Sequence, residues 1–236
     1  MRKELKIIDF HSHILPCVDH GSDGIKTSMD QVELINNAGV DTVVLTPHFY
    51  PSLHRVSTFT SEVTAAAEAL ISVCRTRPRF CIGAEILYCD GIEEMEDLDK
   101  LCIKGTNVLM LELPPTTYEW GRSTIYAIKR MSSTYTVILA HIDRYVKFHN
   151  RELMTLLSED NIFGQINSSS LTHGKARRII SRYIKAGHIC SIGSDLHGSN
   201  KKNYRHFRKA RKKLGEEAYS KIMTRSSELL DGAVYY

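Results

Sequence analysis

Short apolar runs, many of them β-branched, recur along this chain at intervals of about 30 residues, the length of one strand-plus-helix unit. They lie at Leu5–Phe10, Val40–Leu45, Arg79–Ala84, Val108–Leu113, Thr136–Ala140, Ile162–Ile166 and His188–Ile192. Helical periodicity fills most of the gaps. Ala176, Ile179, Ile180, Tyr183 and Ile184 fall at i, i+3, i+4, i+7 and i+8, and Gly187 follows as a stop. Val32, Ile35 and Ala38 precede Gly39 in the same way, Ser61 is expected to cap an Ala-rich helix through about Cys74, and Ile125, Ile128 and Met131 mark another helix. From Tyr204 the tail reads as a basic helix, a second helix around Glu216–Met223 and a short closing segment. Strands alternating with helices argue for a parallel sheet. Seven of them fit a closed or nearly closed barrel, with an open doubly wound sheet as the alternative, and 236 residues suit one domain, 1–236.

Six histidines and four carboxylates, counting Asp9 and His20, sit near the ends of these runs. His11 and His13 follow the first, Thr46-Pro47-His48 the second and Glu85 the third; Glu112 lies in the fourth, His141 follows the fifth, and Asp195 and His197 follow the seventh. A parallel barrel brings the C-terminal ends of all its strands to one rim, so these residues would meet in one pocket. Alternate residues of an extended segment point the same way, which lets His11 and His13 grip one ion, although ordinary strand-end histidines would look identical. Glu85 and Glu112 are flanked by apolar residues, and such carboxylates are costly to bury unless paired in a salt bridge or bound to metal. Taken together the positions point to a metal cluster.

Composition narrows the classes. The chain is 42% hydrophobic and 25% charged, as globular proteins are. No apolar stretch reaches the roughly 18 residues of a membrane span. The N-terminus lacks an apolar signal core, so a cytoplasmic location with no stable membrane insertion is expected. The six cysteines form no C-x-x-C pair and none lies in a C-x₅-R loop, which disfavours a structural zinc site and a thiol-dependent phosphatase. A net charge of +4 does not demand nucleic acid, and none is expected as a partner. The charge is uneven: Lys201–Lys213 holds eight Lys and Arg and no acid, while Glu93–Asp99 holds five acids in seven positions. Each run is either a solvated helix face or a feature that steers a charged partner.

Asp9-Phe10-His11-Ser12-His13-Ile14-Leu15-Pro16, Thr46-Pro47-His48, Gly83-Ala84-Glu85-Ile86, Leu111-Glu112-Leu113-Pro114, Ala140-His141-Ile142-Asp143-Arg144-Tyr145, Gln165-Ile166-Asn167 and Ser194-Asp195-Leu196-His197 resemble, in order, the motifs of the polymerase-and-histidinol-phosphatase (PHP) superfamily. Within it the chain looks most like the bacterial metal-dependent protein-tyrosine phosphatases of capsule and exopolysaccharide operons. The resemblance implies an α/β fold, a distorted TIM-like (β/α)7 barrel of PHP type, with about three divalent ions, described as manganese; the mixed imidazole and carboxylate ligands also suit iron or zinc. Carried over position by position, a first ion would take His11, His13, Glu85 and Asp195, and a second Glu85, Glu112 and His141. A third would take His48, His197 and a residue of the loop after His13. Asp19-His20-Gly21 stands where the family has Asp-Asp-Gly, so His20 is the expected ligand, with Asp19 supporting it or taking its place.

Such ions lower the pKa of a bridging water and clamp phosphoryl oxygens, so hydrolysis needs no serine or cysteine nucleophile. The resemblance gives catalytic roles to Arg144, Asp195 and His197, and substrate contacts to Arg144, Lys202 and Tyr145. Arg144 can fork onto a phosphate, with a surface salt bridge as its alternative, and Lys202 stands in for the family's second phosphate-gripping arginine. Phe49, Tyr50, Tyr118, Trp120 and Tyr145 lie in predicted rim loops and could line a phenyl ring or merely cover the barrel mouth. The implied activity is hydrolysis of phosphotyrosine in the tail of a bacterial tyrosine autokinase, regulating polysaccharide synthesis. A small-molecule phosphatase such as histidinol phosphatase and a non-catalytic kinase-binding module are the alternatives.

Overall fold

The computed structural model describes residues 5–74, 78–114, 120–172, 174–198 and 201–236, without the side chains of residues 174–176 and 201–203. Its strands are β1 (Ile8–Ser12), β2 (Thr42–Leu45), β3 (His48–Phe49), β4 (Arg79–Ile82), β5 (Glu85–Leu87), β6 (Val108–Glu112), β7 (Thr136–Leu139), β8 (Ile162–Asn167) and β9 (Ile189–Gly193). Its helices are α1 (Ile25–Asn37), α2 (Val56–Val73), α3 (Arg122–Met131), α4 (Asn150–Leu157), α5 (Gly174–Lys185), α6 (Lys201–Leu214) and α7 (Glu216–Leu229).

Every strand pair is parallel, in the orders β1-β2-β4 and β3-β5-β6-β7-β8-β9. These nine strands make seven staves. Thr46-Pro47 separates β2 from β3, and Gly83-Ala84 separates β4 from β5. Proline has no N–H to give a ladder, and glycine weakens one, so regular pairing lapses there. The two broken staves stay joined across the gap, with Gly83 N donating to Leu45 O at 2.9 Å and Glu85 N to Pro47 O at 3.0 Å. The circle closes between the last stave and the first: Asp195 N donates to His11 O at 2.9 Å, and His13 N to Leu196 O at 3.3 Å. Asp9 seals the same seam by accepting from Ser194 N at 2.8 Å and from the Tyr204 hydroxyl at 2.7 Å. The expected (β/α)7 barrel is therefore present, and the open sheet is excluded.

All five residues of β1 and of β9 are buried, as expected for strands with a filled barrel on one side and helices on the other. The helical stripes cover the outer wall. Phe59, Val63, Ala67 and Leu70 are the buried positions of α2, at spacings of three and four. That stripe begins before Ser61, which explains why α2 starts at Val56 and leaves Ser61 as an exposed residue inside the helix rather than its cap. The short α4, anchored by Leu153, Leu156 and Leu157, was not apparent from periodicity. α7 packs on β1 and β9, while α6 lies over the turn Ser168–Thr172. The closing segment adds to the far side, where Tyr236 and Phe80 exchange backbone hydrogen bonds of 3.0 and 3.2 Å. Among the described residues, no helix is long and apolar enough to cross a membrane.

Candidate metal centre

The strand ends gather the imidazoles and carboxylates as the parallel topology requires. His11 and His13 lie on the same side of the β1 exit, with their Nε2 atoms 2.9 Å apart. Glu85, the first residue of β5, points one oxygen at His11 Nε2 (3.3 Å), His13 Nε2 (3.2 Å) and His48 Nδ1 (3.0 Å). Its other oxygen lies 2.7 Å from His141 Nε2. Glu112, at the end of β6, stands 3.5 Å from His141 and 3.9 Å from His48. Asp195 stands 3.7 Å from His11, 3.5 Å from His13 and 3.5 Å from His197.

Four triads bring ligand atoms within 4.8 Å of one another: His13, His48 and His197; His11, His13 and Asp195; His11, Glu85 and His141; His48, Glu85 and Glu112. Eight of the nine expected ligands belong to them. His20 does not. It is exposed and stacks its ring on those of His197 and His48, at centroid distances of 4.5 and 4.9 Å. Asp19 turns the other way, accepting from His13 Nδ1 at 2.7 Å, from Gly21 N at 2.8 Å and from His48 N at 3.1 Å. A carboxylate on Nδ1 fixes the ring and directs Nε2 into the cluster, as in histidine ligands of metal sites.

The residues fit divalent ions on their own chemistry. Glu85 Oε2, His48 Nδ1 and His197 Nε2 are buried polar atoms without a properly aligned hydrogen-bond partner among the described residues, although a native interior pairs almost all such atoms. Burial works against a charged imidazole at His13, but Asp19 and Glu85 outweigh it and push that group up to about 10. Burial likewise opposes ionisation of Glu85 and Asp195, yet His11 and the neighbouring imidazoles, with Arg144 at Asp195, hold both carboxyls well below their usual range. Burial and the nearby His13 lower His197 to about 4, and with Nδ1 donating to Asp195 O at 3.1 Å the lone pair of Nε2 stays free. At His13, Glu85 and Asp195 the surroundings favour positive charge beside ionised carboxylates, whereas burial and Glu85 push the Glu112 carboxyl up; oxygen and imidazole donors of this mix suit Mn²⁺, Fe²⁺ or Zn²⁺.

Supporting contacts hold the set in place. Gln165 accepts from His141 N at 2.5 Å and donates to Asn167 at 3.1 Å, and Asn167 donates to Asp195 Oδ2 at 2.7 Å. His141 (φ 30°) and Asp195 (φ 51°) both occupy the left-handed region, which costs a non-glycine residue about 1–3 kcal/mol. Gln165 and Asn167 belonged to a recognisable motif, but only the fold shows what they hold. Two glycines stand where the ligand histidines leave no room for a side chain. A Cβ at Gly193 would lie 2.4 Å from His11 Cβ, and one at Gly21 would lie 2.2 Å from His13 Cβ.

Arg144 stands at the mouth with its side chain 47% exposed, placing Nη2 2.5 Å from Asp195 and Nη1 3.5 Å from Glu112. Tyr145 differs from expectation. It is buried, and its hydroxyl donates to Leu113 O at 2.9 Å, so it supports the rim instead of facing a substrate. Phe49 and Trp120 are buried as well, whereas Tyr50 is half-buried and lies against His48 at 5.4 Å, nearly parallel to it. Tyr118 and the Lys202 side chain lie outside the described residues.

Comparison with known proteins agrees with this geometry. The family model described as capsular polysaccharide synthesis, CpsB/CapC, matches residues 7–230. The chain is 27% identical, over 239 aligned positions, to tyrosine-protein phosphatase YwqE of Bacillus subtilis (strain 168), covering 95% of this chain and 91% of that protein. It is 24% identical over 206 positions to tyrosine-protein phosphatase CpsB of Streptococcus agalactiae serotype III (strain NEM316), covering 81% of this chain and 83% of that one. A crystal structure from work on YwqE of Bacillus subtilis and CpsB of Streptococcus pneumoniae, described as unique metal-dependent tyrosine phosphatases, superposes with a TM-score of 0.78. It is 21% identical and covers 98% of this chain and 96% of its own. A mutant organophosphorus hydrolase shares the fold at a TM-score of 0.55 and 12% identity, covering 96% of this chain and 93% of its own. With its match running almost from end to end, the chain belongs to the CpsB/CapC family of capsular polysaccharide synthesis.

Proposed function

We propose that residues 1–236 form one metal-dependent protein-tyrosine phosphatase, acting in the cytoplasm on the phosphotyrosine tail of a bacterial tyrosine autokinase and so regulating capsular or exopolysaccharide synthesis. The observation that carries this reading is the convergence of His11, His13, His48, His141 and His197 on Glu85, Glu112 and Asp195, with the Arg144 guanidinium beside them. The curated relatives named tyrosine-protein phosphatases support the substrate.

In this reading His11, His13, Glu85 and Asp195 hold one ion, Glu85, Glu112 and His141 a second, and His48, His197 and His20 a third, with manganese the favoured metal. Bound divalent ions supply a water of lowered pKa and positive charge opposite the phosphoryl oxygens. Asp19 keeps His13 oriented, and Asn167 does the same for Asp195. Arg144 has five N–H donors, and its contacts with Asp195 and Glu112 leave others for a phosphoryl oxygen. Lys202, the second residue of α6 and five residues after His197, adds a point charge for the same phosphate. Tyr50 offers the ring face for the tyrosyl group, since Phe49, Trp120 and Tyr145 are buried.

Turnover of a phosphotyrosyl peptide and of histidinol phosphate, each before and after chelation, tests the proposal, with elemental analysis of the protein alongside. Chelator-sensitive hydrolysis of the peptide, with about three ions per chain, is expected. Preferential turnover of histidinol phosphate would instead make the chain a small-molecule phosphatase, and no turnover of either with metals bound would make it a binding module.

A further inference from the structure

Helices α5 and α6 contain thirteen of the thirty-one Lys and Arg residues and none of the twenty-seven Asp and Glu, leaving eighteen cations against twenty-seven acids elsewhere. A chain of net charge +4 is thus strongly polarised. Both helices pack on the turn Ser168–Thr172, which directly follows Asn167, a hydrogen-bond donor to Asp195. The turn is tied to α6 by Thr172 Oγ1 and His206 Nδ1 at 2.8 Å. Gly198, between His197 and α6, donates to Gly21 O at 2.7 Å in the loop that carries Asp19 and His20. The N-terminal ends of α5 and α6 therefore lie at the rim beside the metal centre, and α6 runs from there along the outer wall toward Gly215.

Tyr204, Phe207 and Ala210 are the buried positions of α6, so Arg205, Arg208, Lys209 and Lys212 occupy its solvent face, and all four are exposed. On α5, Ile180 and Tyr183 are buried while Arg177 and Arg178 are exposed. Among the described residues, Arg211 is the one cation of these helices held in an ion pair, with Glu216 at 2.6 Å. The stretch from Arg205 to Lys212 spans about 10 Å at 1.5 Å per residue, a distance an extended chain covers in about three residues.

We propose that the solvent face of α6, with the exposed arginines of α5, is a docking surface for an acidic polypeptide segment flanking the phosphotyrosine, so that this phosphatase selects acidic sequence within about six residues of the phosphate. The inference rests on the phosphotyrosine reading of the site. A linear acidic chain suits the surface better than an anionic membrane does. Helices that lie on membranes join their cations to an exposed apolar face, and no large hydrophobic side chain described on α5 or α6 is exposed. A row of unpaired cations leading away from the rim raises the local concentration of an acidic ligand and its association rate, an effect that salt screens over about 8–10 Å.

The test uses the metal-loaded full chain and two phosphotyrosyl peptides that differ only in having Glu or Gln at four flanking positions. At low salt kcat/KM is expected to be about 10-fold or more higher for the Glu peptide, with the advantage shrinking as salt rises. In the combined variant Arg205→Glu, Arg208→Glu, Lys209→Glu, Lys212→Glu the preference should vanish while p-nitrophenyl phosphate turnover is unchanged. The milder pair Arg208→Gln and Lys209→Gln should lose part of it, which covers a misfolded quadruple variant. Equal kcat/KM for the two peptides, or a preference that survives in the variants, would overturn the inference. So would sedimentation of the protein with phosphatidylserine vesicles, abolished by the same substitutions, in the absence of any peptide preference. If neither peptide is hydrolysed, the phosphotyrosine reading has failed. Fluorescence anisotropy of the unphosphorylated Glu peptide then decides the surface alone, with salt-sensitive binding that the variants lose supporting it and no such binding refuting it.

Discussion

Glu85 and His141 come from staves 56 residues apart and meet at 2.7 Å, while the other Glu85 oxygen lies 3.0–3.3 Å from His48, His13 and His11. One buried carboxylate thus serves four imidazoles. Replacing it by the isosteric amide keeps the volume and removes the charge that makes the pocket attractive to cations. Glu85→Gln is expected to lower bound metal on elemental analysis and to reduce turnover at least 100-fold. Full metal content with undiminished turnover would show that Glu85 is a structural ion-pair partner only.

Gly193 stands directly behind His11. An alanine there would put a Cβ 2.4 Å from His11 Cβ, 2.7 Å from Gln165 Nε2 and 3.1 Å from His11 N. Backbone and a buried ring must move, so Gly193→Ala should cost about 1–3 kcal/mol by thermal or urea unfolding. It should also weaken metal retention, because the ring that shifts is a ligand. A control at Gly187, where an added Cβ meets nothing within 4 Å but φ is +79°, should show the backbone cost without the loss of metal.

Asp19 acts through His13. Its 2.7 Å contact with Nδ1 holds the ring so that Nε2 faces Glu85 and Asp195. Asp19→Asn keeps the shape and removes the charge, and metal affinity measured by competition with a chelator should fall about 10–100-fold. His20→Ala separates the two neighbours in the loop. If His20 holds the third ion, that variant should retain about two ions per chain, whereas an unchanged count would remove His20 from the ligand set.

Chelation should leave a folded barrel. The staves pair through their backbones, and the seam through Asp9 uses no metal-ligand side chain. An ion present at about 100 times its Kd stabilises by about 2.7 kcal/mol, so stripping metal should lower Tm by about 5–10 °C for a chain of this size. Circular dichroism should keep its helical signal while activity disappears, and added Mn²⁺ should restore both activity and Tm. Global unfolding on chelation would mean that the ions build the barrel and do not merely occupy it.

Much of this was legible before any coordinates. The repeat of apolar runs predicted the parallel staves, because a strand buried on both faces reads as a continuous hydrophobic segment. His11, His13, Glu85 and Asp195 stood out because charged or imidazole groups interrupt or end those runs. Periodicity failed where other forces decide. α2 begins at Val56 since its buried stripe starts at Phe59, and a hydroxyl residue such as Ser61 resembles a cap whether or not the helix has already begun. Tyr145 looked like a rim aromatic, but burial and the Leu113 carbonyl claim it.

By itself the order of residues determined which groups stand at strand ends, since side-chain alternation and strand length are local properties of the backbone. Which of those groups touch, and through which atoms, was decided only when the last stave closed on the first. Closure brings Asp195 to His11 across 184 residues, sets Ser194 N on Asp9 and leaves no room for a Cβ at Gly193 beside His11. Such contacts depend on distances of a few ångströms between segments remote in sequence, and local patterning carries no record of them.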